Sequence, residues 1–548
     1  MPQSSPPISN LSQRQREILE LIRLGKSNNE IAFELGIGLG TVKQHVVALF
    51  RKLKVSRRTM ALSRGHEQAS LLSQAMSFSP SEIILQRRPC IVLSLTMQTG
   101  SPESLRTMKT AMAVEAQETS DVFLPWRESG CDIILGIEQA SESAPLRALQ
   151  IAWKTAAKLA GTSAGSTLKG GVAAGLAVAS MHRRGGWSGE AIASSAIVLA
   201  RQHAQTAEPG TLHLDAAVMD LLRLCGAYLK NCAPLLLPLD APQDLLWHES
   251  NEAFRFYGRK PELENLRDIL TASPQSPSPK IHAVGGEAGI GKSRLCAEFT
   301  HICREAGHAV RHLRCLPSMA PKPFWDAYSR HACTWKELHK TLANDDHDIL
   351  VVDDAHWLAE EQKQVLMVPP ADSRGVMYLA QRKQTNKETL LVPSLDIGEI
   401  EELALNVVSE DAVRDDDRLP KISRSIAALA GGNPRYALEM ARNHLTVASL
   451  ASKNNQSRKY LPLNLLLLVT ANLDQAALDR RMLGVVASKP KGLILQDLVH
   501  SLNEEEHFVK ASVDEAIKKG VLFISEKHRI GFVHPMFHSV IQYLGMEP

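Results

Sequence analysis

Apolar positions along the chain change their period several times, and each change marks a new element. Near the N-terminus Ile18, Leu21 and Ile22 form one helical stripe. Ile31, Ala32 and Leu35 form a second, and Val42, Val46, Leu49 and Leu53 a third. Ser12-x-x-Gln15 and Ser27-x-x-Glu30 open the first two helices as capping boxes, Gly25 closes the first, and Gly36 to Gly40 supply a tight turn. Farther on, Cys90–Leu93, Asp121–Trp126, Asp132–Ile137 and Gly170–Met181 read as strands, with helices near Glu103–Glu118 and Ala144–Leu159, which predicts a sheet with helices packed on it. Ile281–Val284, Ile349–Val352 and Gly375–Leu379 are short apolar runs of the kind found in buried parallel strands. No apolar stretch reaches the ~18 to 20 residues of a membrane span. The longest candidates, Gly171–Met181 and Leu465–Ala471, read as core.

Composition narrows the class only slightly. The 548 residues are 44% hydrophobic and 22% charged, and that length leaves room for about three to five folded domains. Eight scattered cysteines form no C-x-x-C pair and no zinc spacing, so reduced thiols in a cytoplasm are expected. No basic-then-apolar leader opens the chain, so no signal peptide is expected. Charge distribution says more. Residues 11–65 hold eleven basic and four acidic side chains, a net of +7, against +3 for the whole chain. This is the electrostatic footprint of a nucleic-acid-binding module.

Gly286-Glu287-Ala288-Gly289-Ile290-Gly291-Lys292-Ser293 sits between an apolar run and a helical stripe of Leu295, Phe299 and Ile302. This is G-x-x-x-x-G-K-[ST] in the strand-to-helix context that gives the motif its meaning. Gly286, Gly289 and Gly291 let backbone N–H groups turn toward a phosphate, and the helix N-terminus adds partial positive charge. Lys292 reaches the β- and γ-phosphates, the Ser293 hydroxyl binds Mg²⁺, and Arg294 completes the cradle. ATP or GTP is the expected ligand. Asp353 and Asp354 end an apolar strand, where Asp353 would hold Mg²⁺ and Asp354 would orient or deprotonate the attacking water. Arg382, after the third strand, could sense the γ-phosphate.

Three resemblances rest on these residues. Leu11-Ser12-x-Arg14-x-Arg16-Glu17-Ile18-Leu19, Ser27-Asn28-x-Glu30-Ile31-Ala32, Thr41-Val42-Lys43-x-His45 and Lys52-Leu53-x-Val55 resemble the LuxR-type helix-turn-helix. The resemblance implies that Lys43, Gln44 and Val47 face bases in the major groove and that Thr41, His45 and Arg51 hold phosphates. Gly38 stands where that family usually has a serine cap. The box Phe256-x-Gly258-Arg259-x-x-Glu262-Leu263, the P-loop, Asp353-Asp354-x-His356-Trp357 and Gly432-Asn433-Pro434 resemble the STAND branch of the AAA+ ATPases. That resemblance implies ATP/ADP with Mg²⁺ as ligands, Pro434 at the nucleotide, a winged-helix domain over 460–548, and His534 against the ADP β-phosphate. The spacing from Lys292 to Asp353 is short for the family, which implies trimmed elements and slow or lost hydrolysis. Ala207-Glu208-Pro209-Gly210-Thr211, the Gly170–Val178 strand and the Ser129–Asp132 turn are similar to class III nucleotide cyclases. In the best alignment Ser94 and Cys131 replace the two metal-binding aspartates, with Asp132 one place away, and Ala193 and Ile197 replace the transition-state Asn and Arg. Two-metal catalysis then lacks its ligands.

The chain is therefore expected to be multidomain α/β, with the following parts. Residues 1–10 are a disordered N-terminus, 11–66 an all-α helix-turn-helix and 67–86 a linker. Residues 87–247 form a degenerate, cyclase-like α+β domain, 252–395 a P-loop ATPase domain, 396–455 a helical lid, and 456–548 a winged-helix domain. No 34-residue repeat follows, so the cyclase-like domain is the expected input. The expected function is an ATP-binding, promoter-binding transcription regulator whose nucleotide state controls opening and self-association, acting as a slow ATPase switch. Double-stranded DNA, an inducer or regulatory protein, and RNA polymerase are its expected partners, with no membrane. The alternatives are a cyclic-nucleotide-forming enzyme and a STAND-type assembly scaffold acting through a protein partner.

Overall fold

The computed structural model describes residues 83–97, 101–126, 129–160, 168–224, 227–229, 236–239, 245–247, 255–271, 281–315, 324–326, 331–334, 336–338, 349–358, 376–381, 389–411, 419–443 and 461–545. The helix-turn-helix segment lies outside the described residues, and the rest forms one compact unit over Ile83–Pro548.

The first body is a sheet built on two 15-residue strands, β1 (Ile83–Met97) and β4 (Leu168–His182), paired antiparallel along their whole length. β1 begins at Ile83, ahead of the expected boundary at 87, because its first residues pair with the far end of β4. The strands β2 (Val122–Pro125) and β3 (Gly130–Leu135) extend one edge. On the other side of β4, β5 (Ala193–Ser194) pairs antiparallel with it, while β6 (Thr211–Leu214) pairs parallel with it and is followed outward by β8 (Leu236–Pro238). The strands β7 (Ala227–Leu229) and β9 (Leu245–Trp247) form a separate pair.

Helices α1 (Pro102–Thr119), α2 (Ala144–Leu159) and α4 (Ala216–Leu224) belong to the core on the Ile91, Leu93 and Leu95 face of the sheet. Helix α3 (Ser195–Thr206) covers the opposite face, over Cys90, Val92 and Ala173. It crosses β4 so closely that a Cβ on Gly171 would lie 2.2 Å from the Ala200 carbonyl. Only glycine fits that crossing.

The second body carries the P-loop. Helix α5 (Lys260–Thr271) precedes strand β10 (Ile281–Gly285), which leads into α6 (Lys292–Glu305). Four strands follow: β11 (Val310–Cys315), β14 (Ile349–Asp353), β15 (Val376–Gln381) and the short β16 (Leu390–Leu391). Their order is β11-β14-β15-β10-β16, all parallel, and β12 (Phe324–Asp326) with β13 (His331–Cys333) continues it antiparallel beyond β11. Leu295, Cys296 and Phe299 of α6 pack on Ile349 and Val351, while Leu350 and Val352 face a second core with Phe324. This period-2 division explains why β14 reads as a continuous apolar run.

The third body is helical. Helices α7 (Ile397–Asp411), α8 (Leu419–Ala430) and α9 (Pro434–Arg442) are followed by α10 (Leu463–Ala476), α11 (Arg480–Ala487), α12 (Leu495–Leu502) and α13 (Glu506–Lys518). A two-stranded wing, β17 (Leu522–Ile524) with β18 (Ile530–Phe532), precedes α14 (Pro535–Leu544). One buried apolar cluster runs from Ile400 and Ala404 through Tyr436 and Met440 to Leu483, Val513 and Val540. Residues of 397–443 and of 461–544 thus share a core.

Candidate nucleotide-binding site

The P-loop adopts the backbone that its glycines permit. Gly286, Gly289 and Gly291 have φ of 156°, 79° and 102°, and Gly291 directly precedes α6 as its N-cap. Residues with a Cβ rarely take such angles, which is why glycine recurs here. Lys292 is buried, and its Nζ donates to the carbonyls of Gly286 (3.0 Å) and Glu287 (2.8 Å), holding the ammonium inside the loop. Ser293 hydrogen-bonds Asp353, so the hydroxyl and the carboxylate expected to share a metal are brought together across β10, β15 and β14. One hydroxyl and one carboxylate leave most of an octahedral Mg²⁺ shell to phosphate oxygens and water, as is usual for a nucleotide-borne cation. Among the described residues no group of three or more His, Cys, Asp or Glu side chains forms a metal cluster.

Asp353 is buried, and burial together with the adjacent Asp354 carboxylate pushes its pKa up to about 6. The Asp354 amide donates to Asp353 Oδ1 at 2.8 Å. Asp354 itself sits in the left-handed region, φ 56°, and its Oδ2 accepts from Arg314 Nε at 3.2 Å. Arg314 pairs with Asp353 in the strand register between β11 and β14. No motif marked Arg314, because the contact arises from strand order. A carboxylate held by a guanidinium is a weaker base than a free one.

The box before α5 also reaches the loop. Arg259 is buried, donates through one guanidinium nitrogen to the Ile290 carbonyl at 3.0 Å, and bonds the Pro393 carbonyl with the other. Arg294 turns away from the loop, bonding Glu298 at 3.2 Å and lying 5.4 Å from the Phe256 ring centre.

The turn at 432–435 closes on the loop, and His534 lies against the residues just before that turn. Asn433, 1% exposed, donates from Nδ2 to the Ala288 carbonyl at 3.0 Å, while its Oδ1 caps α9 by accepting from the Arg435 and Tyr436 amides. The Arg435 amide also donates to the Gly289 carbonyl at 3.2 Å. Pro434 lies beside the loop, 3.7 Å from where a Cβ on Gly291 would be. His534 Nδ1 accepts from the Met536 amide at 3.0 Å. Its Nε2 is therefore the protonated nitrogen and donates to the Ala430 carbonyl at 2.6 Å. Burial lowers the His534 pKa, so the ring stays neutral. It lies over Gly431, one residue before the Gly432-Asn433-Pro434 turn. His534 thus contacts the segment that grips the P-loop. Arg382 and the positions Thr41, Lys43, Gln44, His45, Val47 and Arg51 lie outside the described residues.

In the first body, strand register shows which of the residues weighed from sequence lie together. Ser94 pairs with Asp132, whereas Cys131 pairs with Leu95 and packs against Met112 on the opposite face. Asp132 is therefore the carboxylate beside Ser94, accepting from its Oγ at 2.6 Å. Arg201 of α3, which the sequence reading did not single out, donates to Asp132 at 2.8 and 2.6 Å and lies 5.3 Å from the Trp126 ring centre. Ala193 is exposed and Ile197 is packed into the core. The Asp132 carboxylate on this face is already paired with a guanidinium.

Comparison with known proteins matches two segments. Residues 9–64 fit the family of bacterial regulatory proteins, luxR family, and residues 255–348 fit the AAA ATPase domain. The chain is 50% identical over 54 residues to the Escherichia coli putative HTH-type transcriptional regulator YhjB, covering 10% of this chain and 27% of that one. It is 51% identical over 53 residues to the E. coli CsgBAC operon transcriptional regulatory protein, covering 10% and 24%. The HTH-type transcriptional regulator MalT of Yersinia pestis is 40% identical over 70 residues, covering 13% and 7%. The chain thus spans about a quarter of the length of the first two relatives and far less of the third.

Among solved structures, the Walker-type ATPase PABY2304 of Pyrococcus abyssi aligns with 52% of this chain and 96% of its own at 13% identity and TM-score 0.36. The adenylyl cyclase CyaB of P. aeruginosa aligns with 29% and 98% at 11% identity and TM-score 0.24. The chain carries a luxR-type helix-turn-helix segment and an AAA ATPase segment. No helix among the described residues is long and apolar enough to cross a membrane.

Proposed function

We propose that the protein is a transcription regulator whose grip on promoter DNA is set by ATP or ADP in the P-loop. One observation carries the reading. The cradle around Lys292 is bridged by Asn433 to the lid, and the lid is bridged by His534 to the winged helix. Whatever changes the loop is therefore felt by both outer domains.

Bound nucleotide would supply phosphate charge and, with Mg²⁺, a hydrolysable γ-phosphate. Gly286, Gly289 and Gly291 let the backbone approach the phosphates, Lys292 supplies the counter-charge, and Ser293 with Asp353 holds the cation. Asp354 is the candidate base, with Arg314 bonded to its carboxylate. Closed and open forms interconvert only as far as nucleotide binds them unequally, and a swing from 1:99 to 99:1 takes about 5.5 kcal/mol. Opening frees the ATPase bodies to self-associate, which gathers several weak DNA-binding modules on one promoter and multiplies their affinity. An inducer or regulatory protein, and RNA polymerase, are the further partners of this reading. The 83–239 body is read as a cyclase-like domain that has lost catalysis, because Arg201 takes the Asp132 carboxylate that metal ions would need.

Selection of random duplexes by the full chain with ATP, ADP or no nucleotide tests the proposal. A sequence preference that strengthens with one nucleotide supports it. A preference indifferent to nucleotide refutes the coupling, and no preference at all refutes the DNA output. Cyclic nucleotide formed with Mn²⁺ would favour the enzymatic reading instead.

A further inference from the structure

Helix α10 is apolar all round (Leu463-Asn464-Leu465-Leu466-Leu467-Leu468-Val469), and such a helix must be buried on every side. Two different bodies bury it. Leu465, Leu466, Leu468 and Val469 join the lid and winged-helix core, whereas Leu467 and Ala471 join the core of the 83–239 body.

Ion pairs seal the same contact, with arginines of the 83–239 body meeting acids of the helical body. The 83–239 body contributes two arginine doublets, Arg87-Arg88 at the start of β1 and Arg183-Arg184 after β4. The helical body answers with Asp474, Asp479, Glu504 and Glu515. Arg88, with no exposed side-chain surface, donates to Asp474 through both terminal nitrogens, one at 3.0 Å. Asp474 also accepts from the Ala140 amide at 2.7 Å and from Arg480, which reaches back to Gln86. These two cations hold the Asp474 carboxyl below the usual carboxylate range. Arg183 binds Asp479 and Glu504, Arg184 binds Glu515 at 3.1 Å, and the Arg480 amide donates to the Arg183 carbonyl at 2.8 Å.

Separating the bodies would bare Leu467 and Ala471 and break the ion pair between Arg88 and Asp474. Arg88, Asp474 and Arg480 form a buried triad, and removing one partner from such a set leaves an uncompensated buried charge, which is strongly destabilising. Helix α10 also bonds the lid through Asn464 to Glu439 (2.8 Å) and Asn472 to Tyr436 (3.3 Å), and Tyr436 packs edge-on against His534.

We infer that the 83–239 body is a brake: docked on α10 and the winged helix through the arginine doublets, it holds the Asn433–His534 bridge closed and slows nucleotide release. The inference rests on the nucleotide-switch reading above. It places the regulatory input at the surface around Asp474.

Arg183→Glu in the full chain tests it, since Arg183 and Glu504 are only partly buried and the fold should survive. The expected result is faster amide exchange at residues 83–88 and 463–476, together with release of a fluorescent ADP analogue accelerated about tenfold, within the roughly 5- to 150-fold range of ordinary coupling. Adding Glu504→Arg should restore both in part, since Asp479 still faces residue 183. Asp474→Asn provides a second route to undocking. Undocking with unchanged ADP release overturns the brake alone. Intact docking in both variants overturns the role given to these charges. A native chain that binds no ADP overturns the switch reading beneath it.

Discussion

Asn433 offers the sharpest test of whether the lid belongs to the nucleotide site. Its side chain does two jobs: Oδ1 caps α9, and Nδ2 bridges to the Ala288 carbonyl in the P-loop. Asn433→Ala removes both. Losing the cap costs about 1 kcal/mol, and stripping the donor from a buried carbonyl costs about 1–2 kcal/mol more. The total, about 2–3 kcal/mol, corresponds to roughly 5–10 °C in the melting of a body this size. Asn433→Asp separates the two jobs. It keeps an acceptor for the Arg435 and Tyr436 amides but turns a carboxylate on the Ala288 carbonyl. Melting of the full chain, with ADP affinity by calorimetry, reads the result. Both variants should lose thermal stability, the Asp variant no less than the Ala one because its carboxylate is buried against a carbonyl, and both should bind ADP about tenfold more weakly, the equivalent of ~1.4 kcal/mol. ADP affinity preserved in Asn433→Asp would show that the bridge is no part of the nucleotide-bound form.

Other expectations can be checked directly. Lys292→Ala should abolish ATP and ADP binding in a filter assay while leaving the melting of the 83–239 body unchanged. Asp353, with its pKa raised to about 6, binds a proton in the folded chain at pH values where the unfolded chain has released it, so nucleotide-free stability should fall as pH rises from about 4 through 6. Asp353→Asn should flatten that slope and eliminate the Mg²⁺ dependence of ATP binding. Arg201→Ala should destabilise the 83–239 body by about 2 kcal/mol, less than a fully buried pair because Arg201 is partly in water, without creating cyclase activity. Arg51→Ala should weaken DNA binding across all sequences and flatten its salt dependence, whereas Lys43→Ala or Gln44→Ala should relax sequence preference.

What could be read in advance divides by distance along the chain. The P-loop was legible because glycine, lysine and serine at fixed spacing dictate a backbone and a charge within eight residues. β14 was legible because a strand buried on both faces has no polar positions before its terminal acids. Pairs formed by topology left no local trace. Arg314 meets Asp354 only because β11 lies beside β14, and Arg88 meets Asp474 across 386 residues. The early start of β1 was masked by Arg87 and Arg88, which look like linker charges until α10 and α14 are seen against them.

The Asp132 register shows how a small shift in sequence becomes a chemical one. Side chains alternate across a strand, so a shift of one residue moves every group to the other face of the sheet. The sequence reading weighs Cys131, with Asp132 one place away, and the sheet puts the carboxylate beside Ser94 and the thiol on the apolar face against Met112. Arg201 supplies the positive charge next to that carboxylate. Burial raises the Asp132 pKa and the arginine opposes it, so the carboxylate's partner is built into α3. A face arranged this way has its buried carboxylate balanced by the chain's own guanidinium.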